Sequence, residues 1–178
     1  MKIILAALVI IGSAYAHPTT VRLAITPRAP QCDESLWTHV YAGTFGTAKN
    51  RLQVIDPCKM VTGTIVFAGG EPDADIHIRV KLDSGQASLL NAKNKAPLPG
   101  GQGGFLVVEP ICQKAPTQAD TVQEGVCNGF RQSLQAMTTI KANVKKKVGT
   151  HVEITGAFIK DRQHGWNEIH PVTSIVIK

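Results

Sequence analysis

The sequence lacks several features that would narrow its function. It has no N-x-S/T sequon, no C-x-x-C pair and no closely spaced cysteines and histidines. N-glycosylation is therefore not expected, and a structural zinc site is disfavoured. The chain also lacks a G-x-S-x-G elbow and a glycine-rich phosphate loop that leads into a helix. Because it carries none of these catalytic motifs, the sequence favours a non-enzymatic protein.

The N-terminus has the pattern of a secretory signal peptide. Lys2 precedes an apolar run over residues 3–11, and small residues follow up to Ala16. The run is shorter than the roughly 20 residues that a membrane-spanning helix needs, and no later segment is long and apolar enough. We therefore predict that residues 1–16 are removed and that the protein is secreted. Residues 17–178 then form a single domain, with an N-terminal extension and short helix over 17–50 and a barrel over 51–178.

The four cysteines predict two disulfides, because an even number in an exported chain is typical of a disulfide framework. Four cysteines allow three pairings. We favour Cys32–Cys58 with Cys112–Cys127, since each pair encloses an irregular segment that needs anchoring.

The hydrophobic pattern is mainly that of β-strands. Residues 76–83 alternate between apolar and polar, and Gly63 interrupts a long β-type segment, as at a bulge or sharp bend. The predicted strands cover 51–68, 76–83, 105–109, 150–159 and 169–177, with helices at 33–42 and within 113–137 and a loop at 92–104. This order predicts an OB-like five-stranded barrel with one or two short helices. A β-sandwich is the structural alternative.

A ligand-binding surface is predicted where OB-type barrels bind, on strand 2 and on the loop between strands 4 and 5. The chain has a formal net charge of +6 and few aromatic residues, so a tryptophan in a polar turn is informative. The leading hypothesis is a binding module for an anionic or carbohydrate polymer at the cell surface or outside the cell. The predicted ligand-binding residues are His77, Arg79, Lys81, Arg162, His164 and Trp166. Alternatively, Trp166 caps the barrel with its N–H bonded locally, and the charged residues of strand 2 form a solvated face.

A second hypothesis is catalytic. Carboxylates and imidazoles that converge on one barrel end could bind a divalent metal or act as general acid and base. The predicted catalytic or metal-binding residues are Asp161, His164, Glu168 and His170. The protein would then be a metal-dependent hydrolase, such as a phosphodiesterase, whereas the binding module needs no cofactor. A third hypothesis is a structural or self-assembling surface protein.

Three segments, 51–65, 105–112 and 161–175, together resemble a group of exported OB-like proteins of similar size. That group carries the signature H-G-W-x-E-I-H-P near its C-terminus, which here reads HGWNEIHP. The resemblance covers residues 50–178 and implies export and the barrel fold. It also implies that His164, Trp166, Glu168 and His170 act as one unit, but it implies no particular reaction.

Overall fold

The computed structural model describes residues 30–37, 39, 51–134 and 149–178. The predicted leader 1–16 and most of the extension 17–50 lie outside the described residues. Within the described ranges, no helix has both the length and the apolar character needed to cross a membrane.

Five strands pair in a ring and form a small barrel. They are β1 (Leu52–Gly70), β2 (Ile76–Leu82), β3 (Leu106–Val108), β4 (His151–Asp161) and β5 (Asn167–Ile177). Their order around the barrel is β1-β2-β3-β5-β4, and β4 pairs again with β1. The β3–β5 pair is parallel, and the other pairs are antiparallel. This arrangement confirms the predicted OB-like barrel and not the sandwich.

The described helices are short. One-turn 3-10 helices occupy Glu34–Trp37 and Ala87–Leu89, α1 spans Ala92–Lys95 and α2 spans Ala119–Glu124. The segment predicted as a loop at 92–104 therefore begins with a helical turn, because Asn91 and Asn94 form a reciprocal capping box around it. The helix predicted within 113–137 is confirmed only as α2, and residues 135–137 lie outside the described ranges.

Strand β1 pairs with both β2 and β4, and Gly63 lies in the part of β1 that pairs with both strands. Gly63 pairs with Leu82 of β2 and with Val152 of β4. A Cβ atom at this position would collide with the backbone carbonyl of Lys81. Glycine is therefore required by close approach, whereas the nearest register shift between β1 and β2 lies further on, between Ile65 and Phe67.

The barrel interior is filled by the inward side chains of all five strands. The predicted alternation of β2 is confirmed, since Ile78 and Val80 are buried in this core. Its other buried members are Val61, Ile65, Leu106, Val108, Val152, Ile154, Phe158, Ile169, Val172 and Ile175.

Both predicted disulfides, Cys32–Cys58 and Cys112–Cys127, are confirmed. A second apolar cluster contains Leu36, Ile111 and Cys112 and includes the Cys112–Cys127 disulfide. Disulfides of this kind are typical of proteins that fold in an oxidising compartment.

Candidate functional site

The outward faces of β2, β3 and β5 carry polar groups side by side. Val107 of β3 pairs with Arg79 of β2 and with Glu168 of β5. Paired residues of neighbouring strands present their side chains on the same face. Since the face repeats every second residue, it also carries His77, Glu109 and His170.

Five of the ionisable side chains in this region form a buried network. Glu109 lies at its centre, with Oε1 2.9 Å from His77 Nδ1 and Oε2 3.0 Å from His170 Nδ1. His170 Nδ1 is also 3.1 Å from Glu168 Oε1, and its Nε2 is 3.6 Å from Asp75 Oδ2. None of the five residues is more than 8% exposed. Burial of so many charged groups is costly, which makes the network a candidate functional site.

Neighbouring groups hold the network in one geometry. His77 Nε2 is 3.3 Å from Gln102 Oε1, so both ring nitrogens of His77 have partners. The Cys112 backbone N–H donates to Asp75 Oδ1 at 2.8 Å. The Trp166 indole Nε1–H donates to Glu168 Oε2 at 3.0 Å. Three segments outside the strands therefore hold the network in place. They are the α1–β3 segment with Gln102, the β3–α2 segment with Cys112 and the β4–β5 loop with Trp166.

The network shifts the pKa values of its carboxyl groups in opposite directions. Burial alone would raise the pKa of Glu109, but the hydrogen bonds from His170 and His77 outweigh it and lower that pKa. Burial would likewise lower the pKa of His170, but its bonds to Glu109 and Glu168 raise it well above the ordinary value. Burial raises the pKa of Glu168, and it raises the pKa of Asp75 well above the usual range. The network therefore combines a strongly ionised Glu109 with carboxyl groups that retain protons more readily.

A separate ion pair lies at the start of the β4–β5 loop. The buried Asp161 carboxylate accepts hydrogen bonds from the Arg51 Nε and from the His164 Nδ1, both at 2.9 Å. It also accepts the backbone N–H groups of Gln163 at 2.7 Å and His164 at 3.0 Å. Burial would raise the pKa of Asp161, but the hydrogen bonds from His164 and Arg51 hold it well below its ordinary value. Asp161 is thus the anchor of this loop.

Three asparagines attach the β4–β5 loop to the segment that contains α1. The Asn91 side chain donates to the Gly165 carbonyl at 3.0 Å and to Asn167 Oδ1 at 2.9 Å. Asn94 donates to the Asn167 carbonyl and accepts from its backbone N–H, each at 2.9 Å. Gly165 has a φ of 88°, a left-handed conformation that glycine adopts without strain. The loop is therefore held firmly against the barrel.

Four rings form a row over the buried network, which we call the ring row. It runs Phe67, His77, Trp166, His164, with ring centroids 6.3, 6.3 and 4.5 Å apart. Trp166 and His164 are stacked, and the Arg79 guanidinium lies 4.3 Å over the Phe67 ring. Phe67 is 40% exposed, and the His164 side chain is 41% exposed at the other end.

The four residues predicted as a catalytic unit divide between the two groups. Glu168 and His170 belong to the buried network, whereas Asp161 and His164 belong to the ion pair with Arg51. Trp166 joins the groups, because it stacks on His164 and donates to Glu168. Its locally bonded N–H agrees with the alternative interpretation of this residue as a cap.

The predicted ligand-binding residues are not equally accessible. His77 is buried and not on an exposed face. Glu109 and Gln102 also occupy both of its ring nitrogens, so neither nitrogen is available to a ligand. Lys81 is exposed further along β2, and Arg162 is exposed in the β4–β5 loop, where it bonds to Gln53. Trp166 and His164 belong to the ring row, and the Arg79 guanidinium lies over the Phe67 ring at its other end.

Three residues of the buried network could together hold a metal ion. Asp75, Glu109 and His170 each offer one ligand atom, and these atoms lie within 4.8 Å of one another. Two carboxylates and one imidazole are ligands that divalent transition metals accept.

Sequence reasoning missed three contributors to the site. Glu109 ends a buried strand just before Pro110, and a carboxylate at the end of an apolar run is a signal that could have marked it. Arg51 gave no signal, because its partner Asp161 is 110 residues away in sequence. Phe67 follows Ile65 by two residues and would face the core by strict alternation, but the register shift between them turns it outward.

Comparisons with known proteins give no match to this chain among protein-family models, curated proteins or solved structures. The chemistry of the site is therefore argued from its own residues.

Proposed function

We propose that this protein is an exported, non-enzymatic binding module that holds an anionic polymer across the ring row. The observation that carries the proposal is the row itself, a line of rings on the strand-2 side of the barrel with exposed rings at both ends. OB-type barrels bind extended polymers on this face and on the loop between strands 4 and 5.

The rings offer stacking surface to a flexible chain of sugars or bases. Stacking of one base on an aromatic side chain contributes about 1–3 kcal/mol and tolerates different ligand sequences. The Phe67 end of the row is the stronger evidence for ligand binding. Phe67 is exposed beneath the Arg79 guanidinium and is not part of the barrel core, so packing of the core does not explain its position. Such an apolar ring beside a cation is suited to a ligand that is ringed and negatively charged.

Cationic residues occur near both ends of the row. Arg162 is exposed two residues before His164 in the β4–β5 loop, and the stem of Lys93 packs at Gly165 of the same loop. At the other end of the row, the Arg79 guanidinium lies 4.3 Å over the Phe67 ring. The net charge of the full chain is +6, and it stays positive at +5 (18 − 13) without Lys2 of the predicted leader. Together with these groups it favours an anionic ligand over a neutral one.

Hydrogen bonds from the buried network and from Gln102 hold two rings of the row in place. Glu109 and Gln102 hold His77, and Glu168 holds Trp166. Rings that are already fixed lose little conformational freedom on binding, which favours affinity. On this proposal the buried charges stabilise the binding surface and do not themselves react.

Export is supported by the signal-peptide pattern at residues 1–16 and by two disulfides. The ligand would then be met at a cell surface or in the extracellular medium.

The test is a binding measurement with two labelled probes, a heparin-derived oligosaccharide and a single-stranded oligonucleotide, by fluorescence anisotropy at fixed salt. We expect Phe67→Ala to weaken binding of the recognised probe by about tenfold or more, through loss of one stacking contact. Arg162→Ala should weaken it less and reduce its salt dependence.

Two exposed residues away from the row serve as controls. Met60→Ala removes an apolar side chain that is 44% exposed on β1, and Lys178→Ala removes a cation paired with Glu153. Both variants should bind as the unaltered protein does. If Phe67→Ala binds as tightly as Met60→Ala, the ring row is not the binding surface, and if neither probe binds, the proposal of an anionic polymer fails.

A further inference from the structure

The buried network contains more carboxyl groups than imidazoles. Three carboxyl groups, from Asp75, Glu109 and Glu168, face two imidazoles, from His77 and His170, where the side chains are almost inaccessible to water. Buried acidic groups are costly to ionise, and a bound metal is one of the usual ways in which proteins compensate them.

We propose that Asp75, Glu109 and His170 bind one divalent transition-metal ion, which joins the β1–β2 loop, the end of β3 and strand β5 on the outside of the barrel. His170 would bind through Nε2, which faces Asp75 Oδ2 at 3.6 Å. Metal–oxygen and metal–nitrogen bonds of about 2.0–2.2 Å allow two ligand atoms of one ion to be at most about 4.4 Å apart. The three candidate atoms lie within 4.8 Å of one another, so small side-chain movements complete the site.

The other atom of each ligand is already held, as metal ligands usually are. His170 Nδ1 is 3.1 Å from Glu168 Oε1, the carboxylate–histidine arrangement that orients an imidazole toward a metal. Asp75 Oδ1 accepts the Cys112 N–H, and Glu109 Oε1 is bonded to His77. Trp166 in turn holds Glu168. Each candidate ligand thus has a partner that is not itself a ligand. Glu109 Oε2, the oxygen left to bind the ion, is 3.0 Å from His170 Nδ1 and has to turn away from that nitrogen when the ion binds.

The ion also balances the charge of its own ligands. Its two positive charges offset the two carboxylates, Asp75 and Glu109, that would bind it. The imidazole favours Zn²⁺ or a similar transition metal, whereas Ca²⁺ takes six to eight oxygen ligands.

Three protein ligands leave a coordination position for water, as in catalytic and not structural zinc sites. The hydrolase hypothesis would therefore depend on this site, with Asp75 and Glu109 as ligands in place of Asp161 and His164. Metal binding itself does not depend on the polymer-binding proposal.

The experiment is a Zn²⁺ titration of the oxidised full-length protein after removal of metals with a chelator, followed by calorimetry and by metal analysis after gel filtration. We expect one equivalent of Zn²⁺ per chain and a raised melting temperature. Asp75→Asn and Glu109→Gln should each weaken binding at least tenfold. Asp83→Asn is the matched control, because Asp83 also bonds a histidine, His151, but at an exposed position.

Retained binding in Asp75→Asn together with loss in Asp83→Asn would overturn the proposal, since the ion would then be on the surface. No binding to the unaltered protein would overturn it as well. To separate loss of the site from loss of the fold, the unaltered protein is also loaded with Co²⁺. We expect the visible absorption of a four- or five-coordinate ion, whereas the weak spectrum of hexa-aqua Co²⁺ would contradict a site built from three protein ligands.

Discussion

The indole of Trp166 and the carboxylate of Glu168 are joined by a hydrogen bond in which Nε1–H donates to Oε2 at 3.0 Å. Trp166 also stacks on His164, while Glu168 bonds to His170. One bond between residues two apart in sequence therefore connects the ring row to the buried network. The segment HGWNEIHP contributes to both groups for this reason.

The strength of this connection can be measured with a double-mutant cycle. Trp166→Phe keeps a ring against His164 but leaves the fully buried Glu168 without one donor, which should cost about 1–3 kcal/mol of unfolding free energy. In the background of Glu168→Gln the same change should cost less. Urea denaturation of the four proteins gives the coupling. Additive effects would mean that the bond does not hold the tryptophan.

The Arg51–Asp161 ion pair should be a main determinant of stability. Asp161→Asn leaves Arg51 without its charged partner at a largely buried position, and we expect a loss of about 3–5 kcal/mol. Asp56→Asn breaks an exposed pair with Lys59 and should cost less than about 1 kcal/mol. Equal losses in the two variants, measured by urea denaturation, would contradict the role of Asp161 as an anchor.

The same pair predicts a two-sided pH dependence. The lowered pKa of Asp161 contributes stability that is present above the unfolded value, near 3.9, and is lost as the pH falls below it. The raised pKa of His164, caused first by its bond to Asp161, contributes stability that is present below about 6.5 and lost as the pH rises through the folded value. The difference in unfolding free energy between the unaltered protein and Asp161→Asn should thus be largest between about pH 4 and 6.5. A difference that does not change from pH 3 to 8 would contradict this assignment.

Gly63 should be essential to the barrel. Gly63→Ala places a Cβ against the backbone of Lys81 and a side-chain methyl of Val80, so we expect a loss of at least about 1–3 kcal/mol. Gly100→Ala is the control, because a Cβ there meets no atom within 4 Å. Thermal unfolding of the two variants compares them directly. Similar melting temperatures would mean that β1 can shift away from β2.

The fold could be predicted from the sequence where local pattern decides it. The alternation in β2 identified the inward residues Ile78 and Val80, and the irregular segments that the cysteine pairs enclose favoured the observed disulfides. These features depend on strand periodicity and on which irregular segments need anchoring, and both can be read along the chain.

The site was less predictable because it depends on strand register. His77 and Trp166 stood out by type and position. Glu109, however, reaches His77 through the β2–β3 pairing, and the β3–β5 pairing brings Glu168 and His170 beside Glu109. The outward position of Phe67 follows from one bulge in β1. A register shift of one residue moves a side chain to the opposite face of the sheet, and no local sequence pattern predicts such a shift.

The most direct test of the ring row is ¹⁵N NMR of the indole N–H groups during titration with the probe that binds. The chain has two tryptophans, and Trp37 lies in the 3-10 helix Glu34–Trp37, outside the row. If the polymer binds across the ring row, the Trp166 resonance should shift with a saturating dependence on probe concentration while the Trp37 resonance stays in place. An unmoved Trp166 resonance at saturating probe would contradict the account, because the ligand would then bind elsewhere.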